Sequence, residues 1–152
     1  MQMEWRWLDF SSLNGGELYS ILRLRQEVFV VEQDCAYLDT DGLDEQAWHL
    51  MGMRNSELVA YLRAFGPGVL RADAVIGRVV THSSARGQGL GRPLMREGMH
   101  RLCERYGPCG IHISAQAHLR PYYGSLGFEV IGPGYDEDGI PHLPMRWVSP
   151  TE

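Results

Sequence analysis

The residues whose types and spacing point most directly to chemistry are Arg86-Gly87-Gln88-Gly89-Leu90-Gly91. They follow Ala74 to Thr81, a run rich in β-branched residues that reads as a buried strand. They precede Leu94, Met95, Met99, Leu102 and Tyr106, which mark one face of a helix, with Pro93 acceptable in its first turn. A helix entered through glycines presents unpaired N–H groups and the positive end of its dipole to whatever lies in the turn. The natural tenant is a phosphate.

Spacing decides which phosphate compound. A nucleotide-hydrolysing loop needs G-x-x-x-x-G-K-[ST], and the fourteen basic residues of this chain are all arginine. A dinucleotide fold wants G-x-G-x-x-G near the start of the chain, with an acid about twenty residues later. Gly87, Gly89 and Gly91 have neither that spacing nor that position. Metal chemistry finds no support: Cys35, Cys103 and Cys109 form no zinc spacing and read as reduced, mostly packed thiols. Asp39-Thr40-Asp41-Gly42 begins like a calcium loop but lacks the ligand ladder and the closing Glu, so residues 34–45 read as a solvated acidic loop.

The elements that must position the loop follow from periodicity. Trp5 and Trp7 alternate with Arg6 and Leu8 as a first strand, closed by turn signals at Ser11-Ser12 and Gly15-Gly16. From Glu17 to Gln33, Leu18, Ile21, Leu22, Val28 and Phe29 recur at helical spacing, with Arg25 and Glu32 on the same stripe. Arg25 there either snorkels or pairs with an acid, and Glu32 falls near a cleft. Strands at 47–54 and 57–65 join through Asn55-Ser56, a tight hairpin that Asn tolerates. Ile111 to Ile113 reads as a strand, Leu119 to Leu126 as a short helix closed by Gly127, and Val130-Ile131 and Leu143 to Val148 as last strands around a polar loop.

A chain of 152 residues with 44% hydrophobic content fits one domain, spanning 1–152. A net charge of −5 with dispersed arginines argues against a nucleic-acid partner. The N-terminal stretch, Met1 to Trp7, lacks the apolar run of a signal peptide or membrane span, which makes the cytoplasm the expected compartment and a membrane partner unexpected.

Arg86, Gly89 and Gly91 match Arg-x-x-Gly-x-Gly, and the chain thereby resembles the GNAT superfamily of N-acetyltransferases. Tyr122-Tyr123-Gly124-Ser125-Leu126-Gly127-Phe128 is similar to that family's closing helix. Four further segments resemble its ElaA-like branch: Leu24 to Gln33, Ile76 to Val80, Ala115 to Leu119, and Glu137 to His142. The resemblance implies an α/β fold, a mixed and mostly antiparallel sheet of about seven strands flanked by helices. It implies acetyl-CoA as cosubstrate, no metal, and a small-molecule or peptidyl amine as acceptor. A homodimer is compatible with it.

The same resemblance assigns roles. The backbone of Val79, Val80 and Thr81, on a strand splayed from its neighbour, pairs with the pantetheine arm, and an N–H of Val79 or Val80 supplies the oxyanion donor. Arg86, Gly87, Gln88, Gly89, Leu90 and Gly91 hold the pyrophosphate. Gln116 stands where many members have Asn, with a longer reach for the same amide contact. Tyr123 matches the tyrosine that protonates the departing sulfur, and Tyr122, roughly 100° away on the helix, is expected to pack. Glu32 and His142 are the first candidates for the base, with His112 behind them. A covalent cysteine route carries little support, and the rival of a different class is a non-catalytic acyl-CoA-binding module.

Overall fold

The computed structural model describes residues 2–150; Met1 and 151–152, which the single-domain expectation also spans, lie outside the described residues. Eight strands form one sheet: β1 (Glu4–Asp9), β2 (Trp48–Arg54), β3 (Glu57–Phe65), β4 (Ala74–Thr81), β5 (Gly110–Gln116), β6 (Glu129–Val130), β7 (Tyr135–Glu137) and β8 (Ile140–Val148). Their order is β1-β2-β3-β4-β5-β8-β6, with β7 pairing β8 beside it. Only β4 and β5 run parallel. The mixed, mostly antiparallel sheet flanked by helices that the sequence leads one to expect is present, with seven strands in the main order and β7 as the eighth.

Strand β7 forms within the segment whose composition predicts only a polar loop. It forms a hairpin with β8 through Asp138 and Gly139, whose φ values of 53° and 80° are those of a tight primed turn. Asp-Gly was the signal available for it, and the polar composition of the strand masked it. The expected hairpin at Asn55-Ser56 forms in the same way, with φ values of 53° and 63°.

Helices cover both faces of the sheet. Helix α2 (Gly91–Tyr106) sets Leu94, Met95, Met99 and Leu102 against Leu50, Leu62, Ile76 and Ile111. Gly98 admits the close approach, since a Cβ there would stand 2.9 Å from Leu62 Cδ2. On the opposite face, α1 (Gly15–Arg25) buries Ile21 and Leu24 against Met51, Tyr61 and Val80. Its start is a capping box in which Asn14 and Glu17 exchange side-chain-to-backbone hydrogen bonds. Helix α3 (Arg120–Ser125) is short and lies beside β5. No helix among the described residues is long and apolar enough to cross a membrane.

The expected single helix from Glu17 to Gln33 is two. After Arg25 the chain widens into a π-helix, Gln26–Glu32, continued by i→i−5 bonds from Gln33 N to Val28 O and Cys35 N to Val30 O. That change of period breaks the stripe on which Arg25 and Glu32 were placed together: Arg25 is fully buried and Glu32 exposed. The acidic segment after it is likewise not a solvated loop. Asp39 and Asp44 are buried because three arginines need them: Arg25 Nε bonds Asp39 at 2.8 Å, Arg25 Nη1 bonds Asp44 at 2.7 Å, and Arg63 and Arg78 reach the same aspartates and Asp41. Arg25 thus takes the acid-pairing course expected of it, in the interior instead of at a helix edge.

Candidate functional site

The site begins with a fault in β4. Opposite Leu62 of β3 stand two residues, Arg78 and Val79, because the register runs Tyr61 to Val80 and then Arg63 to Gly77. Arg78 takes the left-handed backbone, φ 51°. One extra residue reverses the inward and outward alternation. Ala74 and Ile76 face α2, whereas Val80 faces α1, and Val79 has moved to the α2 side. The bulge is held by the aspartate cluster, since Arg78 Nε bonds Asp39 Oδ1 at 2.7 Å and its guanidinium lies over the Tyr37 ring.

Beyond the bulge β4 loses a neighbour. Its parallel ladder with β5 holds only Ala74 to Ile111 and Val75 to His112, while β5 continues along β8 as far as Gln116 opposite His142. Between the parting strands lies a cleft of about 270 Å³ lined by Gly77, Arg78 and Val79 on one side and His112, Ser114 and Gln116 on the other. Tyr123, His142, Glu137 and Asp138 also line it, together with Phe29, Gln33, Cys35 and Tyr37 from the π-helix and the segment after it. The sequence assigns none of those last four to the site: Phe29 reads there as helix core and Cys35 as a packed thiol, and the change to π period leaves no mark in composition.

Tyr123 is 8% exposed, edge-on to the rings of Tyr122 and Phe128. Burial, and to a lesser degree Tyr122, pushes its phenol up to about 12. At neutral pH it holds its proton and acts as a donor. His142 is 7% exposed and its tautomer is fixed: Nδ1 lies 2.7 Å from the Ile140 carbonyl, which can only accept, so Nδ1 carries the hydrogen. Its Nε2 faces Glu137 Oε2 at 3.3 Å, and Tyr135 stacks on the ring while sharing a hydrogen bond with Ser114. His112 also borders the cleft, with its pKa lowered by burial and then by Arg71, which keeps it neutral. Glu32 does not line the cleft. Arg86 holds both its oxygens and, by that hydrogen bonding first, keeps its carboxyl below the ordinary value.

The glycine loop runs from the end of β4 to α2. Gly87 and Gly89 have φ values of 76° and 73°, with open space where a Cβ would be, so conformation and not crowding calls for glycine there. Leu90 caps α2 without a side-chain hydrogen bond, which leaves the first N–H groups of a sixteen-residue helix free to meet an anion. Gln88 is drawn aside by Arg54 and by the Ser84 carbonyl. Tyr122, expected to pack, does more: its hydroxyl is buried without a partner in a second hollow lined by Gly89, Gly91, Arg92, Pro93 and Arg96. A Cβ on Gly91 would stand 3.0 Å from that oxygen. An orphaned donor beside a glycine cradle, at an uncapped helix start flanked by two arginines, fits the phosphates of coenzyme A.

Cys103 and Cys109 are free thiols with Sγ atoms 4.0 Å apart, and burial raises Cys109 to about 11. Cys35 borders the cleft with its pKa raised by burial and then by Asp138 and Asp34, which disfavours the thiolate a covalent route would need.

Comparison with known proteins agrees with this geometry. The chain is 43% identical to a UPF0039 protein of Synechocystis over 95% of both chains, and 40% identical to protein ElaA of Escherichia coli over 94% of this chain and 95% of that one. The crystal structure of ElaA superposes with a TM-score of 0.87 over 96% of this chain and 99% of that one. A Pseudomonas aeruginosa structure described as an acyl-CoA N-acyltransferase superposes with a TM-score of 0.93 at 44% identity, over 96% of this chain and 99% of that one. Residues 27–149, which hold the bulged strand, the glycine loop, Tyr123 and His142, match the family model of the acetyltransferase (GNAT) domain, and the chain belongs to that family.

Proposed function

We propose that this protein transfers the acetyl group of acetyl-CoA to an amine by direct attack within a ternary complex. The observation that carries the reading is that Tyr123 and His142, a buried proton donor and an imidazole of fixed tautomer, line one cleft beside the unpaired edge of β4. The description of the Pseudomonas aeruginosa relative as an acyl-CoA N-acyltransferase supports the same reaction class.

The cosubstrate supplies an activated thioester carbonyl. Backbone groups of Val79, Val80 and Thr81 pair with the pantetheine arm, and an N–H of that edge meets the carbonyl oxygen as it gathers charge. Arg86 to Gly91 surround the pyrophosphate, with Glu32 holding Arg86 in place, and Gln116 offers its amide at the end of β5. His142 Nε2 takes one proton from the acceptor's ammonium group, and Glu137 stabilises the imidazolium that results. The nitrogen then bonds the carbonyl carbon as the carbon–sulfur bond breaks. Tyr123 donates to the departing sulfur and recovers the second proton lost by nitrogen. Amide and free thiol result, with one proton released to water.

The test measures free coenzyme A thiol from acetyl-CoA across a panel of amines. Amine-dependent release is expected; tight acetyl-CoA binding with no amine-dependent release would instead make the chain a binding module.

A further inference from the structure

The cleft wall carries information about the acceptor, on the basis of the reading above. Two arginines line it, Arg63 and Arg78, yet both are engaged by Asp39, Asp41 and Asp44. The acids of the β7–β8 turn are placed differently. Glu137 faces His142 Nε2, and because Nδ1 already donates to Ile140, a neutral His142 presents an acceptor to an acceptor at 3.3 Å. That contact becomes an ion pair once Nε2 takes up a proton, and an ammonium group lying beside the pair can supply that proton while donating an N–H to the carboxylate. Asp138, the next residue, lines the cleft against Cys35, whose Sγ lies 3.6 Å from the Asp138 carbonyl oxygen.

The chemistry adds a condition. An amine must lose its charge before it attacks, so carboxylates that attracted a monoamine release their hold at the reactive stage. An acceptor with a second cation stays held. Phe29, Leu70 and Ile140 add apolar surface to an otherwise polar lining and suit methylene groups.

We propose that the acceptor is a linear aliphatic diamine or polyamine, whose reacting nitrogen meets His142 and Glu137 and whose remote ammonium lies against Asp138. The experiment compares 1,4-diaminobutane, butylamine and 4-aminobutyrate, three amines of one chain length, by kcat/KM. Asp138 is exposed, so the advantage is modest: roughly fivefold for the diamine over butylamine and roughly twentyfold over 4-aminobutyrate. That advantage falls below about twofold in 0.5 M sodium chloride. In Asp138→Asn the diamine drops to the level of butylamine through KM, and Asp138→Glu restores the preference. Equal use of diamine and butylamine, a preference for 4-aminobutyrate, or an unchanged preference in Asp138→Asn overturns the proposal while leaving acetyl transfer intact. Absence of turnover with every amine removes both.

Discussion

Two polar clusters meet the bulged strand β4, and they differ in how fully their charges are answered. Toward α1, Arg25, Arg63 and Arg78 face Asp39, Asp41 and Asp44, three cations on three anions, with contacts of up to 3.4 Å. Burial alone would raise the carboxyls of Asp41 and Asp44, but the hydrogen bonds and charges around them, mainly from the arginines, together hold Asp41 well below the ordinary range and lower Asp44 as well. Toward β5 and β8, Tyr123 keeps its proton in a buried place, His142 turns Nε2 to a lone carboxylate, and the phenol and imidazole border open space. The first arrangement can change little without loss, which suits a brace. The second lacks partners that a substrate would bring, which suits chemistry.

The contrast is broken most directly at Tyr123. Tyr123→Phe keeps the ring and its contacts with Tyr122 and Phe128 and removes only the donor. We expect kcat to fall by about 100-fold or more, with acetyl-CoA affinity and thermal midpoint nearly unchanged. Equal turnover in the variant would take the acid role from Tyr123 and leave it as packing.

The brace should respond in the opposite sense. Arg25→Met keeps much of the side-chain volume and strips Asp44 and Asp39 of a buried counter-charge. Removing one partner of a buried pair costs about 3–5 kcal/mol, read as a lower urea midpoint. If acetyl-CoA protects the variant and its kcat survives at low temperature, the network acts through stability. A large loss of kcat with the urea midpoint intact would place it in the chemistry and erase the distinction between the two clusters.

How much of this was legible in the sequence follows the same division. The glycine loop, the β4 segment, α2 and the short helix carrying Tyr123 all follow from local rules of periodicity, turn chemistry and helix entry, and the structure has them where those rules put them. The brace follows from long-range pairing: Arg25 and Asp39 are 14 residues apart, Arg78 and Asp39 are 39 apart, and nothing local tells a solvated aspartate from one that a distant arginine draws inside. The π-helix was hidden for a related reason, since apolar spacing over Gln26–Glu32 does not distinguish a period of 3.6 from a locally wider one. His142 lay between these cases. Its segment was recognised, but its fixed tautomer depends on the Ile140 carbonyl and its neighbour Glu137 on a hairpin that polar residues concealed.

The smallest effect sharpens the contrast at a single oxygen. The Tyr122 hydroxyl is buried and has no partner among the described residues, and beside the glycine loop it belongs with the groups that await a ligand. Burial, against the lesser influence of Arg92, raises its pKa, and it therefore offers a proton to an anion beside Gly91 and does not compete as one. Tyr122→Phe removes one neutral hydrogen bond to the cofactor and a desolvated polar group from the free protein, two changes of opposite sign for the two states. We expect acetyl-CoA to bind about fivefold more weakly by calorimetry, on the order of 1 kcal/mol, while the thermal midpoint of the free protein stays level or rises. Unchanged affinity with a raised midpoint would assign the hydroxyl to neither cluster and return Tyr122 to the packing role that its place on the helix first suggested.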